Sequence, residues 1–353
     1  MTTKPVIALT MGDVAGIGPE LIARLIVDPE FLDRCIPCVV GDPMVLARAL
    51  ELVGQRCSVP SVESPTECAS YGWGCWNPGG EAIIGEVAAG QVLAIAGRAA
   101  YRWTIHAALA AMKQEVHAIV TAPLCKEALH AAGVSYPGHT EILASVCGTT
   151  RVAMMLYLPP SQTISTPLAV AHVTLHTALR NIFSQLSIPR IVTTARLLTV
   201  FLRRIGLEPR LGLCALNPHA GENGLFGDEE KVILVPALEE LQHKRVPITG
   251  PWPADTLFRR ATAGEFNGVV ALYHDQGHIA LKLLGWNRAV NITLGLPIIR
   301  TSPSHGTAYD IAWKGMASVE GMRAACEVAL QLLDSPPLDS AGDDLFWPDQ
   351  ALL

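Results

Sequence analysis

The chain has 353 residues, of which 50% are hydrophobic and 16% charged, so it is long and apolar enough to bury a large core. A net charge of -6, with 26 basic and 32 acidic side chains, argues against a nucleic-acid or anionic-membrane partner and favours a small molecule. No stretch approaches the roughly 18 apolar residues of a membrane span, and the N-terminus lacks a signal-peptide pattern. Together with an odd number of cysteines, nine, this predicts a cytoplasmic protein with reduced thiols.

Short apolar runs alternate with helix-length amphipathic segments along the chain. The strand-like runs are 5–11, 38–42, 117–122, 167–173, 210–216, 268–273 and 289–295, and the helical segments include 18–27, 87–112, 191–205 and 228–242. This alternation predicts an α/β fold with a mostly parallel sheet. Residues 54–80, rich in Pro, Gly and Ser, break the pattern and predict an irregular or edge excursion.

Three histidines follow three of these strand-like runs. They are His172 in LAVAHV, His219 in LGLCALNPHAG and His274 in GVVALYHDQG. Because ligands collect at the carboxyl ends of strands in open α/β sheets, we expect the three imidazoles to converge on one divalent metal with open coordination positions. The alternative is that each is a structural histidine. His176 and His278 are expected in the surroundings of this site or at the surface.

A second group of polar residues points to an anionic ligand. In SYPGHTEILA a turn at 137–138 precedes a helix that Thr140 is expected to cap, which leaves backbone N–H groups and His139 facing the ligand. Lys282, Asn291 and Arg300 emerge from apolar surroundings, where a buried cation requires a partner. An ordinary helix start and structural salt bridges remain the alternatives.

The sequence contains one candidate cofactor loop. TMGDVAGIGPE lacks the third glycine of a dinucleotide fingerprint, so a standard Rossmann site is not expected. In SHGTAYDIAWKG, His305 and Gly306 open a loop, and Asp310 is suited to accept from ribose hydroxyls, which favours NAD over NADP. A helix start with a capping aspartate is the alternative.

Taken together, these stretches resemble the 4-hydroxythreonine-4-phosphate dehydrogenase family of pyridoxal phosphate biosynthesis. The matching segments, from Gly12 to about Gly315 and in the same order, are GDVAGIGPE, TAPLCKEAL, PGHTE, NPHAGENGLFGDEE, GPWPADTLF, YHDQGHIALK, VNITLGLPIIRTS and HGTAYDIA. The chain departs from the family pattern at Val14, Cys125, Ser304 and Trp313, positions that touch the cofactor loop and the cleft rim.

The resemblance implies a fold like that of isocitrate and isopropylmalate dehydrogenases, with two α/β/α domains around a cleft. We expect the first domain, on the cofactor side, to comprise 1–135 plus 300–353, and the second, on the metal and dimer side, 136–299. The resemblance also implies a homodimer with a metal site at its interface, one histidine coming from the neighbouring chain. The family's metal ligands fall on His172, His219 and His274, and its substrate contacts on His139, Thr140, Lys282, Asn291 and Arg300.

The activity implied is NAD-dependent oxidation of a hydroxyl beside a carboxylate, with decarboxylation of the β-keto acid, and Lys282 or Asp275 as the acid–base group. Imidazole ligands suit Zn, Co, Ni or Mn, and a carboxylate-bearing substrate also admits Mg, so the ligand types do not select one metal. Candidate substrates are 4-phosphohydroxy-L-threonine and threonate or erythronate 4-phosphate, and the sequence leans towards the latter two. A dehydrogenase of terephthalate cis-dihydrodiol, a metal-dependent aldolase or lyase, and a sugar-phosphate sensor are the alternatives.

Overall fold

The structure is a computed structural model that describes residues 4–80, 83, 88–161 and 164–335. Its strands are β1 Val6–Thr10, β2 Ile36–Val40, β3 Ser61–Val62, β4 Gly74–Trp76, β5 Ala118–Thr121, β6 Ala153–Leu158, β7 Leu168–His172, β8 Leu211–Cys214, β9 Ile248–Trp252, β10 Gly268–Ala271, β11 Val290–Leu294 and β12 Arg300–Pro303. Every strand-like run named above overlaps one of these strands, which confirms the α/β prediction.

The helices are α1 Gly18–Leu25, α2 Pro29–Arg34, α3 Pro43–Leu52, α4 Ala94–Met112, α5 Lys126–Ala131, α6 His139–Val146, α7 Ile182–Gln185, α8 Ile188–Arg204, α9 Val235–His243, α10 Ala254–Thr262, α11 His274–Gly285 and α12 Glu320–Asp334. The segment predicted as one helix over 228–242 is a π-helical stretch, Glu230–Leu234, followed by α9. Of the described helices, none combines the length and apolarity that crossing a membrane requires.

The chain divides into two compact units. Unit 1 comprises Met1–Thr150 and Leu296–Leu333, and unit 2 contains Arg151–Gly295. Residues 136–150 therefore belong with the first unit and not, as predicted, with the second domain, because α6 packs against α4 of unit 1. The part of the predicted first domain beyond Ser335 lies outside the described residues.

Unit 1 contains strands in the order β3-β4-β2-β1-β5-β12, and each of these neighbours runs parallel to the next. The excursion at 54–80 supplies β3, β4 and a short 3-10 helix, Pro65–Ser70, so it forms the edge of this set of strands. Parallel strands place their carboxyl ends at the same side. In unit 1 that side carries the residues after β1, β5 and β12.

Unit 2 contains strands in the order β11-β6-β7-β10-β8-β9, in which β6 runs antiparallel to both of its neighbours. Successive side chains of a strand point to opposite faces. On β10, Val269 packs in a cluster with Leu257 of α10 and Leu281 of α11, whereas a Cβ at Gly268 would meet Leu198 and Leu202 of α8. Helices therefore cover both faces of these strands, as an α/β/α layer requires.

Candidate active site

Unit 1 places a buried arginine, Arg300, beside a half-buried histidine, His139. Arg300 on β12 is 2% exposed and donates from Nη2 to the Thr121 hydroxyl at the end of β5, over 2.6 Å. Burial lowers the pKa of Arg300 to about 9, and the charge of Glu141 opposes that shift. The His139 pKa lies well below its usual value because of burial and, secondly, the charge of Arg300. His139 is therefore neutral near pH 7.

The His139 ring offers a nitrogen for a ligand. Its Nε2 is buried and has no hydrogen-bond partner within the described part of the chain. The helix α6 begins at His139 itself, with Gly138 at the N-cap and no side-chain cap. The prediction that Thr140 caps this helix is thus wrong: the helix starts one residue earlier, and Thr140 lies in its first turn. The N–H groups of this turn stay available to an anion.

Unit 2 brings several imidazoles together. His172 ends β7 and His274 begins α11, with 6.5 Å between their ring centroids, and His278 lies one turn further along α11. His278 Nδ1 is 3.1 Å from His172 Nε2 and its ring stacks on that of His274 at 3.7 Å. His176 is 5.9 Å from the His274 ring, measured between centroids.

Two of these imidazoles, His172 and His278, lie where burial disfavours the charged form. His172 is fully buried, and burial followed by the charge of His278 holds the pKa of His172 well below its usual value. Burial, followed by the charges of His274 and Lys282, lowers the His278 pKa to about 3. Neutral imidazole is the form that binds metals. Gly277 makes the approach possible, because a Cβ there would lie 2.4 Å from His172 Nε2.

His219 does not join the other histidines within one chain. Its side chain is 76% exposed, and its neighbours are Glu222, at 3.8 Å, and the Phe226 ring. Across the described residues, no three His, Cys, Asp or Glu side chains are grouped so that they could hold a metal. The donor chemistry of His172 and His274 suits a divalent cation, but the part of one chain that the structure describes supplies no third ligand beside them.

A left-handed turn presents His219. Five consecutive residues, 219–223, have φ between 44° and 78°, a conformation that costs non-glycine residues energy. The buried carboxylate of Glu230 accepts from the backbone N–H groups of Leu216 and Asn217 and from Asn217 Nδ2, at 2.7–2.9 Å. Glu230 was not identified from the sequence, where it reads as one charge in an acidic helix start.

The other predicted residues of unit 2 lie on α11 and β11. The Asp275 carboxylate is 70% exposed and lies 2.7 Å from His274 Nδ1. Lys282 is half-buried, with Nζ 4.7 Å from the centroid of the Trp286 ring. Asn291 is half-buried, and its Oδ1 has no hydrogen-bond partner among the residues that the structure describes. Gln276, which the sequence analysis missed, bridges Leu272 N and the Ala215 carbonyl, both at 2.7 Å.

The predicted cofactor loop of unit 1 contains turns and no helix, so the alternative of a capped helix start is wrong. Gly306 and Asp310 are exposed, and His305 is half-buried with Nδ1 3.1 Å from the Gly306 carbonyl. The neighbouring Tyr309, which the sequence analysis did not select, donates its hydroxyl to Asp13 Oδ2 over 2.6 Å.

Comparison with known families gives a decisive match. The family model described as pyridoxal phosphate biosynthetic protein PdxA matches residues 33–329. The chain belongs to this family. A D-threonate 4-phosphate dehydrogenase of Pectobacterium atrosepticum is 45% identical, over 93% of this chain and 99% of the relative. A 4-hydroxythreonine-4-phosphate dehydrogenase of Desulfosudis oleivorans is 42% identical, over 94% and 96%.

Solved structures agree with this family assignment. The crystal structure of 4-hydroxythreonine-4-phosphate dehydrogenase from Klebsiella pneumoniae has a TM-score of 0.78 and 43% identity, covering 93% of this chain and 99% of that one. A terephthalate 1,2-cis-dihydrodiol dehydrogenase from Burkholderia xenovorans is more distant, with a TM-score of 0.62 and 27% identity over 93% and 98%. These relatives of the PdxA family are dehydrogenases, so the chain is an oxidoreductase, and the family prediction is confirmed.

Proposed function

We propose that this PdxA-family chain is an NAD-dependent and divalent-metal-dependent dehydrogenase of a four-carbon hydroxy-acid phosphate, and that it also decarboxylates the β-keto acid formed. The observation that carries the substrate class is the burial of Arg300 beside His139. A buried guanidinium needs an anion, and a phosphate accepts from its planar donors in a bidentate manner. His139, Thr140, Lys282, Asn291 and Arg300 are the proposed substrate-binding residues.

The proposed substrates are D-threonate 4-phosphate and 4-phosphohydroxy-L-threonine, with erythronate 4-phosphate as a further member of the class. Relatives with the first two activities are about equally similar to the chain, at 45% and 42% identity. The dihydrodiol alternative is less well supported, since that relative is 27% identical and its substrate lacks a phosphate to match Arg300.

We propose His172, His219 and His274 as the metal ligands, with the metal shared between the subunits of a homodimer. A bound divalent cation would polarise the substrate hydroxyl and stabilise the enolate that follows loss of carbon dioxide. The exposure of His219 supports a ligand set completed by a second chain. Ile279 and Leu283 of α11, with Trp286 at its C-terminal cap, recur at helical spacing and are 58%, 82% and 59% exposed, an apolar stripe that suits a subunit interface.

The chain's own residues then orient the substrate and accept its proton. NAD, when bound, would supply the hydride acceptor. For the proton of the substrate hydroxyl, Lys282 and Asp275 are the candidate acceptors. Arg300 and His139 hold the phosphate and so fix the position of the reacting carbon, a contribution to orientation. His305, Gly306 and Asp310 are the proposed NAD contacts, and the exposed carboxylate of Asp310 suits ribose hydroxyls.

The test is NADH formation with each four-carbon hydroxy-acid phosphate and with terephthalate cis-dihydrodiol, with and without a chelator. We expect turnover with a phosphorylated substrate only, and its loss on chelation. Arg300→Lys should raise the KM for that substrate at least tenfold, since an ammonium cannot reproduce the bidentate contact. The matched control is Arg259→Lys, at an exposed arginine of α10. Equal activity on the dihydrodiol would refute the proposed substrate class.

The metal assignment has its own test. His219→Ala should lose bound metal and turnover together, because each of three ligands is needed to retain the cation. Metal content is measured by elemental analysis of the dialysed protein. His243→Ala, at an exposed histidine of α9, is the control and should keep both. Full metal content in His219→Ala would rule out this ligand set.

A further inference from the structure

Two irregular segments of unit 1 are joined to each other over much of their length. We name them the first turn, residues 11–17 after β1, and the clasp loop, residues 304–317 after β12. The Ile17 N–H donates to the Thr307 carbonyl over 3.0 Å. Gly16 is required at this point, because a Cβ there would lie 2.9 Å from both the Cβ and the carbonyl oxygen of Thr307.

Two aromatic side chains of the clasp loop reach the first turn. The Tyr309 hydroxyl donates to Asp13 Oδ2 over 2.6 Å, and the Trp313 indole N–H donates to the Val14 carbonyl over 2.8 Å. Asp13 is fully buried; its burial raises the pKa of the carboxyl, and the bond from Tyr309 opposes that shift. Cys125, before α5, also interacts with the Tyr309 hydroxyl.

Further contacts hold the C-terminal part of the clasp loop to α1. Arg24 Nη2 donates to the Gly315 carbonyl over 2.8 Å, and the Ala317 N–H donates to Glu20 Oε1 over 2.9 Å. The Arg48 guanidinium lies 4.4 Å from the centroid of the Trp313 ring, a cation–π contact. These contacts join the loop to its neighbours, although it has no helix or strand of its own.

Residues that are distant in the chain meet in this network. Val14, Cys125 and Trp313 are separated by more than a hundred residues from one to the next in the chain. Trp313 has φ 59°, a left-handed conformation that suits glycine and is unfavourable for a bulky side chain. Its hydrogen bond to Val14 and its contact with Arg48 oppose that cost. A strained aromatic residue that bonds across two segments indicates a positioning role.

We propose that Tyr309 and Trp313 are positioning residues that hold the clasp loop in the conformation in which His305, Gly306 and Asp310 receive the dinucleotide. This inference rests on the proposed function. A loop that is already ordered loses less conformational entropy when a ligand binds, so each anchor lowers the dissociation constant of the dinucleotide. Neither anchor is assigned any contact with the substrate.

The experiment uses Tyr309→Phe and Trp313→Phe in the full-length protein. Each removes one hydrogen-bond donor and keeps an aromatic ring. The dissociation constant of NADH, measured by calorimetry, should rise about fivefold in each variant, which corresponds to about 1 kcal/mol. Amide hydrogen exchange in 304–317 should accelerate, and the KM for the phosphorylated substrate should stay unchanged. Tyr71→Phe, at a tyrosine that is 61% exposed, is the control.

The outcomes separate this inference from the proposed function. If the wild type binds NADH and both variants bind it equally tightly, the positioning role alone is overturned. A lower melting temperature with an unchanged dissociation constant would also overturn it, because it would show a purely structural role. No NADH binding by the wild type would overturn the proposed function and this inference with it. If one variant fails to fold, the other decides.

Discussion

One buried carboxylate, that of Glu230, holds the backbone just before the left-handed turn at 219–223, and removing its charge gives the sharpest test of how the turn is held. Glu230→Gln keeps the size of the side chain. Its single carbonyl oxygen can still accept from the N–H groups of Leu216 and Asn217, which both bond to Oε1. The new amide then faces Asn217 Nδ2, which is itself a donor, so the third bond is lost.

The expected loss follows from these contacts. A hydrogen bond to a charged group contributes about 1.5–3 kcal/mol, and the two remaining bonds lose their charge assistance. The four non-glycine residues of the turn each carry a cost of about 1–2 kcal/mol for their positive φ. We therefore expect Glu230→Gln to lower the unfolding free energy by about 2–3 kcal/mol and to open the turn preferentially.

Chemical denaturation gives the unfolding free energy, and amide hydrogen exchange of 217–227 reports the turn. Glu229→Gln is the matched control: the half-buried Glu229 carboxylate bonds to the same Asn217 Nδ2, at 2.7 Å, but accepts no backbone N–H in the described contacts. Glu229→Gln should lower the unfolding free energy by less than about 1 kcal/mol. Equal losses in both variants, or a Glu230→Gln variant as stable as the wild type, would refute the reasoning.

Two further predictions concern packing and charge. Gly277→Ala should lower the unfolding free energy by about 1–3 kcal/mol, because the new Cβ would clash with His172 Nε2. A glycine-to-alanine change within a helix ordinarily stabilises, so a gain in unfolding free energy would contradict the clash. The bond from Arg323 holds the pKa of Asp28 below its usual value. At a pH above its unfolded-state pKa, near 4, the Asp28 carboxylate should therefore add about 1 kcal/mol to the unfolding free energy. This contribution should be lost as the pH falls through the lower pKa of the folded state. Denaturation of Asp28→Asn at pH 7 and at acidic pH should therefore show a difference from wild type that shrinks on acidification; a constant difference would contradict the assignment.

The strands and the positions of the histidines after them could be predicted because both depend on local patterns. His172 and His274 meet because β7 and β10 are neighbouring parallel strands, with Ala271 paired to His172. The meeting of His278 with His172 depends on the helical turn of α11 and on the absence of a Cβ at Gly277. HDQGH spaces its two histidines four apart, so helical periodicity was the signal that could have placed His278 beside His274.

The contacts that the sequence did not predict join segments that are distant in the chain. Tyr309 and Asp13 are 296 positions apart, and no periodicity of either segment indicates the pairing. Trp313 and Val14 are 299 positions apart and are joined in the same way. These contacts depend on the tertiary packing of unit 1 and on no local pattern, so they become visible only in the folded chain. They hold the loop whose conformation the proposed dinucleotide site requires.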